Sequence, residues 1–329
     1  MNFADAIRNA PVILTEGALI ERLRRDPAVR LDPHVLHAGM IYDAAGRETL
    51  TGLYRQYLDI GREYDLPLIV GTPTWRANPE RLRAAGLDTQ ADVNTDAVRF
   101  VAAMCARYCA YAERVFIGGL MGPRGDAYRA VEALSVEEAA AYHRTQARAL
   151  AAAGADFLMA ATLPAASEAR GLARAMSGCG VPYILSFVLR PTGTLLDDTP
   201  LHEAITRIDA DVRPLPLAYL ANCVHPRAFA RALAAQASRS PAVRERLIGL
   251  QANTSVRSPE ELDGLQQLEG ETPEAFAEQM LGVHRQHGTR VLGGCCGTDD
   301  RHIRCLAAAM CRTPAPRAKK PSFRYAGSV

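Results

Sequence analysis

Eight short apolar runs recur along this chain of 329 residues, and the intervals between them carry helical periodicity. The runs cover residues 12–15, 68–71, 115–119, 157–162, 183–188, 217–222, 247–252 and 290–293. Short runs rich in Val, Ile and Leu predict strands buried on both faces, as in a parallel sheet. Ala-, Arg- and Glu-rich stretches at 49–64, 94–113, 136–153, 168–176, 227–237 and 273–287 predict the crossover helices. Ser135, with Glu138 three residues on, forms the start signal of the third of these helices. Eight such units predict an α/β fold, a closed (β/α)8 TIM barrel in a single domain. No Gly-x-Gly-x-x-Gly turn follows the first strand, which argues against an open dinucleotide-binding sheet.

The barrel is expected to occupy residues 1–312, followed by a Pro-rich, basic tail at 313–329. Arg317, Lys319 and Lys320 in that tail read as a solvated end, and the last dozen residues as disordered or packed on a partner subunit. The long interval between the first two strands includes residues 31–46, with Pro33, His34 and His37, and predicts an excursion over one end of the barrel.

Hydrophobic residues make up 48% and charged residues 22%, a balance suited to a soluble enzyme with a sizeable core. The formal net charge is only +2 and the basic residues are dispersed, so neither nucleic acid nor a membrane surface is indicated as a partner. No segment approaches the roughly 20 apolar residues of a membrane span. The first ten residues are interrupted by Asp5 and Arg8 and lack an apolar signal core, which predicts a cytoplasmic protein. Eight cysteines in that setting predict reduced thiols. Cys105, Cys109, Cys179, Cys305 and Cys311 read as buried structural thiols.

The other three cysteines stand at strand ends. Gly293-Gly294-Cys295-Cys296-Gly297 closes the eighth run, and Asn222-Cys223, with Pro226 beyond it, closes the sixth. In a barrel both ends face the same mouth, where chemistry gathers. Adjacent cysteines on a regular strand face opposite sides, so the flanking glycines are expected to break that alternation. Three thiolates suit Zn²⁺. The residues leave four readings open: a disulfide, unrelated core thiols, a closed structural zinc with a fourth ligand such as His225, and an open catalytic zinc.

Gly-Gly-Cys-Cys-Gly, the upstream Asn-Cys-x-x-Pro and the order of segments between them resemble the homocysteine S-methyltransferase family, over roughly residues 11–310. The resemblance implies a zinc-dependent S-methyltransferase, with Cys223, Cys295 and Cys296 holding Zn²⁺. It implies a small-molecule thiol as acceptor, with homocysteine as the leading candidate, and a small cationic methyl donor of sulfonium or betaine type. Glu16, in Glu16-Gly17-Ala18-Leu19, falls on the family's acidic pocket position. Thr72, Thr74 and Trp75 match a segment that contacts substrate, and an aromatic face there suits a cationic donor. Trp75 and Arg76 stand where some members have a Tyr that touches the metal. Ala161 stands where some members place a Glu that binds the substrate amine. Asn222 reads either as a substrate contact or as a strand-end tie. Asp126 and Tyr128, in a Gly/Pro-rich loop, are within reach of the mouth. No dedicated general base stands out. Two alternatives to methyl transfer are a non-catalytic thiol- or zinc-binding barrel and a zinc enzyme of C–S cleavage or demethylation. A homo-oligomer is left open.

Overall fold

The computed structural model describes residues 1–89, 92–237, 240–257 and 270–312. The tail expected at 313–329 lies outside the described residues. Eight parallel strands close into a barrel in chain order: β1 (Ile13–Thr15), β2 (Leu68–Gly71), β3 (Val115–Met121), β4 (Phe157–Leu163), β5 (Tyr183–Phe187), β6 (Ala218–Val224), β7 (Leu247–Ala252) and β8 (Val291–Gly294). β8 returns to pair with β1 through Ile13↔Val291 and Leu14↔Leu292. The expected single-domain (β/α)8 barrel is the fold observed.

Side chains alternate along each strand between two buried layers, which is why the strands read as continuous apolar runs. Ile13, Ile69, Phe116, Ile184 and Val291 fill the barrel interior. Leu14, Leu68, Val70, Tyr183 and Leu185 point outward and pack beneath the helices. The interior is sealed at the N-terminal ends of the strands by a short helix, Phe3–Asn9, capped by the Asn2 side chain. Its Phe3 ring stacks on Phe157 at 3.7 Å between centroids and meets Phe116 edge-on at 5.6 Å. The interior is therefore plugged at that end, which leaves the opposite mouth for chemistry.

The excursion at 31–46 folds as an Asp32↔Leu36 bridge and a 3-10 turn, Ala38–Tyr42. Val35 and Ala38 pack with Ala77, Leu82 and Val93, so this segment buttresses the loop that follows β2. The helix expected over 94–113 is interrupted. An α-helix runs Val93–Cys105, then a 3-10 stretch carries Cys109 at φ +50, outside helical geometry. The expectation of uniformly buried spare thiols is corrected too: Cys109 and Cys311 are exposed, and Cys179 and Cys305 half-buried.

Candidate metal centre

Two irregular strand ends and one turn build the site. β6 carries a register shift against β7 between Asn222 and Val224, and Cys223 within it takes φ +54. A bulge re-aims one side chain relative to its neighbours. Left-handed backbone at a non-Gly residue costs about 1–3 kcal/mol, so the surroundings must hold it. Asn222 does so. Its Oδ1 accepts from the Thr162 N–H at 2.9 Å and the Ser186 hydroxyl at 2.7 Å, while its Nδ2 donates to Thr162 Oγ1 at 2.8 Å. Thr162 is itself at φ +63, in a matching irregularity of β4. These are the bonds that a strand-end tie makes.

Cys295 and Cys296 lie just past β8, in a turn, so strand alternation does not apply to them. The Cys295 N–H donates to Ala252 O at 2.8 Å, and Cys296 O accepts from the Thr254 N–H at 3.2 Å, which moors the turn to β7. On the other flank Thr298 Oγ1 donates to Cys295 O at 2.6 Å and accepts from the Ala18 N–H at 3.1 Å. The Gly297 N–H donates to the Glu21 carboxylate. Gly293 and Gly294 permit this closeness, because a Cβ on the first would collide with Thr15 and on the second with Thr298.

The result is convergence: the three sulfurs lie within 4.8 Å of one another. The Cys223 and Cys295 sulfurs are close enough to be joined on oxidation, so the disulfide and the metal readings fall on the same pair. Their Cα atoms are 5.6 Å apart, inside the range a disulfide requires. The sulfurs of Cys223 and Cys296 are 3.9 Å apart. Two sulfurs each about 2.3 Å from one tetrahedral zinc sit about 3.8 Å apart, so the spacing suits that ion. Burial pushes the Cys296 thiol up to about 11, with the Glu21 charge adding to the effect. A bare thiolate is thus disfavoured here, and a cation among the sulfurs would compensate it. Metal and disulfide exclude each other, so these three sulfurs could hold a metal only when reduced.

Tyr128 reaches this cluster from the loop after β3, its hydroxyl 3.4 Å from Cys223 Sγ and acting on Cys296 as well. Asp126, beside it, turns back to accept from the Tyr128 N–H and shapes that loop. His225 lies outside the cluster. Its Nδ1 accepts from the Arg227 N–H, and its Nε2 faces Glu271 at 3.4 Å.

Glu16, immediately after β1, is buried, and its two oxygens accept from the Gly71 N–H at 3.2 and 3.3 Å. Desolvation raises its carboxyl to about 8. The hydroxyls of Thr72 and Thr74 have protein partners: Thr74 donates to Leu120 O at 2.7 Å, and Thr72 accepts from the Leu120 N–H at 2.9 Å. They pin the end of β2 to β3 and so shape the wall. Trp75 Nε1 donates to Ala161 O at 3.2 Å. One face of its indole is already taken, because the Arg76 guanidinium carbon stands 4.2 Å from the ring centroid. That face is closed to a cationic donor. Glu168 is fully buried against His143 Nε2 at 2.9 Å and the Arg124 N–H at 2.7 Å, a structural position.

Sequence reasoning passed over Thr298, Glu21 and Asn253. Asn253 directly follows β7, is buried, and leaves its Oδ1 without a hydrogen-bond partner among the described residues. Its signal was available: a polar amide at the C-terminal end of a barrel strand.

The family model described as homocysteine S-methyltransferase matches residues 13–310. A homocysteine S-methyltransferase of Escherichia coli (strain K12) is 28% identical over 254 residues, covering 72% of this chain and 78% of that protein. Crystal structures of the homocysteine methyltransferase MmuM from Escherichia coli share the fold. The oxidized form gives a TM-score of 0.73 and the metallated form 0.72. Each is 24% identical, over 91% of this chain and 96% of that one.

Proposed function

The chain belongs to the homocysteine S-methyltransferase family and is a methyltransferase; from that premise we propose that it moves a methyl group from a small cationic donor to the sulfur of a homocysteine-like thiol. The observation that carries this reading is the convergence of Cys223, Cys295 and Cys296 within 4.8 Å at the barrel mouth. Zinc held by these three cysteines would supply an open coordination position at which an acceptor thiol is deprotonated. A cytoplasmic setting, where thiols are kept reduced, leaves the three sulfurs available to it.

The remaining work falls to the chain itself. Tyr128 donates to the Cys223 sulfur and holds it in place. Glu16, with its carboxyl raised to about 8, retains its proton at neutral pH in the free protein. A substrate ammonium beside it would offset the desolvation and favour the carboxylate. The unpartnered Oδ1 of Asn253 offers an acceptor to a substrate N–H. The plug formed by Phe3 keeps water from entering through the far end of the barrel.

In the transfer, the acceptor sulfur attacks the donor methyl carbon. The new S–CH3 bond forms as the bond between methyl and donor heteroatom breaks, and the donor leaves neutral. Opposite charges cancel along this path, which a dry mouth favours. The test is methylthioether formation from homocysteine with a panel of sulfonium and betaine donors, using reduced, zinc-loaded protein. Transfer from at least one donor, abolished in Cys223→Ser and Cys296→Ser, is expected. No product with any pair despite bound zinc would overturn the assignment.

A further inference from the structure

Arg76 is a buried cation at the mouth of the barrel, 8% exposed, that touches no carboxylate among the described residues. It follows β2, in the loop that carries Thr72 and Trp75. Its Nη1 donates to Pro123 O at 2.9 Å and to Gly125 O, and its plane lies against the Trp75 indole. These contacts hold the guanidinium rigidly but use only one of its corners. Nε and Nη2 have no partner among the described residues, yet they are not sealed from the exterior as the buried Nε atoms of Arg170 and Arg246 are. That edge is the one that pairs with a carboxylate through two parallel hydrogen bonds.

The nearest acids do not fill it. Asp126 and Glu168 act on Arg76 through space. The first is engaged with the Tyr128 N–H, the second with His143 and the Arg124 N–H. Desolvation lowers the Arg76 guanidinium to about 10, which still leaves it charged at neutral pH. The loop whose carbonyls grip it, at Pro123 and Gly125, also delivers Tyr128 to the Cys223 sulfur. The held cation and the sulfur cluster thus flank one short loop.

We propose that the free edge of Arg76 is the carboxylate anchor of the substrate site. This rests on the reading above that acceptor and donor meet at the sulfur cluster. Either of them can carry the carboxylate, and the experiment separates the two.

Trp75 is the only tryptophan in the chain, so its fluorescence reports locally on Arg76. Titration with sodium butyrate at constant ionic strength is expected to change Trp75 emission saturably, whereas isosteric butyramide leaves it unchanged. Arg76→Gln abolishes the response, and Arg76→Lys keeps a weaker one, since an ammonium is a point charge without the planar fork. Equal responses to the two probes, or an undiminished butyrate response in Arg76→Gln, would overturn the proposal. If Arg76→Gln fails to fold by circular dichroism, the wild-type comparison and Arg76→Lys still decide.

In turnover, Arg76→Gln raises KM about ten-fold or more for the carboxylated partner, with kcat little changed. Pairing 3-mercaptopropionate against 2-mercaptoethanol reads the acceptor arm. Pairing a carboxylated sulfonium against trimethylsulfonium reads the donor arm. Absence of transfer with every pair would sink the methyltransferase assignment to these substrates, and the fluorescence titration would still decide on Arg76.

Discussion

Asn222 and Thr162 are joined by two hydrogen bonds running in opposite directions, which lock the irregular ends of β6 and β4 to each other. Both Thr162 and Cys223 have left-handed backbone, and this amide bridges the two distortions. Asn222→Ala removes the bridge and strands the buried Thr162 N–H and Ser186 hydroxyl. A loss on the order of 3 kcal/mol is expected in urea unfolding, together with weaker zinc binding in a chelator competition. A wild-type unfolding midpoint would refute the tie.

Reduced protein is expected to bind about one zinc per chain. Each of Cys223→Ser, Cys295→Ser and Cys296→Ser should weaken binding by more than the roughly 10–100-fold typical of losing a group that merely orients a ligand. Cys311→Ser, at an exposed position, should leave it unchanged. With Cys223 and Cys295 joined, the protein should take up zinc only after reductant is added. Elemental analysis with and without reductant checks all of these; full zinc in the three serine variants would move the site elsewhere.

Glu16 predicts a pH dependence of stability. Its carboxyl is raised from 4.5 to about 8 on folding, so between those values the folded protein keeps a proton that the unfolded chain has released. Stability therefore falls as pH rises from 4.5 to about 8 and levels off above, by a few kcal/mol at most across the window. Glu16→Gln should flatten this slope while preserving an acceptor for the Gly71 N–H. Urea midpoints at several pH values across the window test it, and parallel profiles for the two proteins would count against the burial of an ionisable Glu16.

Gly293→Ala places a methyl group against Thr15, where β8 closes on β1. Neither strand can yield without breaking barrel pairing, so a cost of about 1–3 kcal/mol or more is expected. Thermal unfolding measures it. The Gly282→Ala control sits in helix Pro273–His287, where an added Cβ meets nothing, and should be neutral or stabilising.

The barrel was legible because its strands are buried on both faces, so apolar residues run together without polar interruption at 68–71 or 157–161. Gly-Gly-Cys-Cys-Gly was legible because paired cysteines behind paired glycines leave few physical roles. Other features leave no mark of that kind. Left-handed backbone at Thr162 and Cys223 involves residues that ordinarily avoid it, so no composition rule announces the bulges. The break at Cys109 falls in a stretch with good helical periodicity, where tertiary packing overrides local pattern. That Arg76 would cover the indole of its own neighbour, Trp75, depends on carbonyls supplied from a loop some 47 residues away.

The turn bearing Cys295 and Cys296 is fastened to residues 16–21 near the start of the chain, through Gly294 to Glu16, Thr298 to Ala18 and Gly297 to Glu21. During synthesis, Cys223 emerges long before its two partners do. A polypeptide made only as far as Cys223 therefore owns one sulfur of the three and lacks the turn that carries the others. A three-sulfur grip on an ion would arise only with ring closure, so a growing chain could not sequester metal there before Cys295 and Cys296 are made.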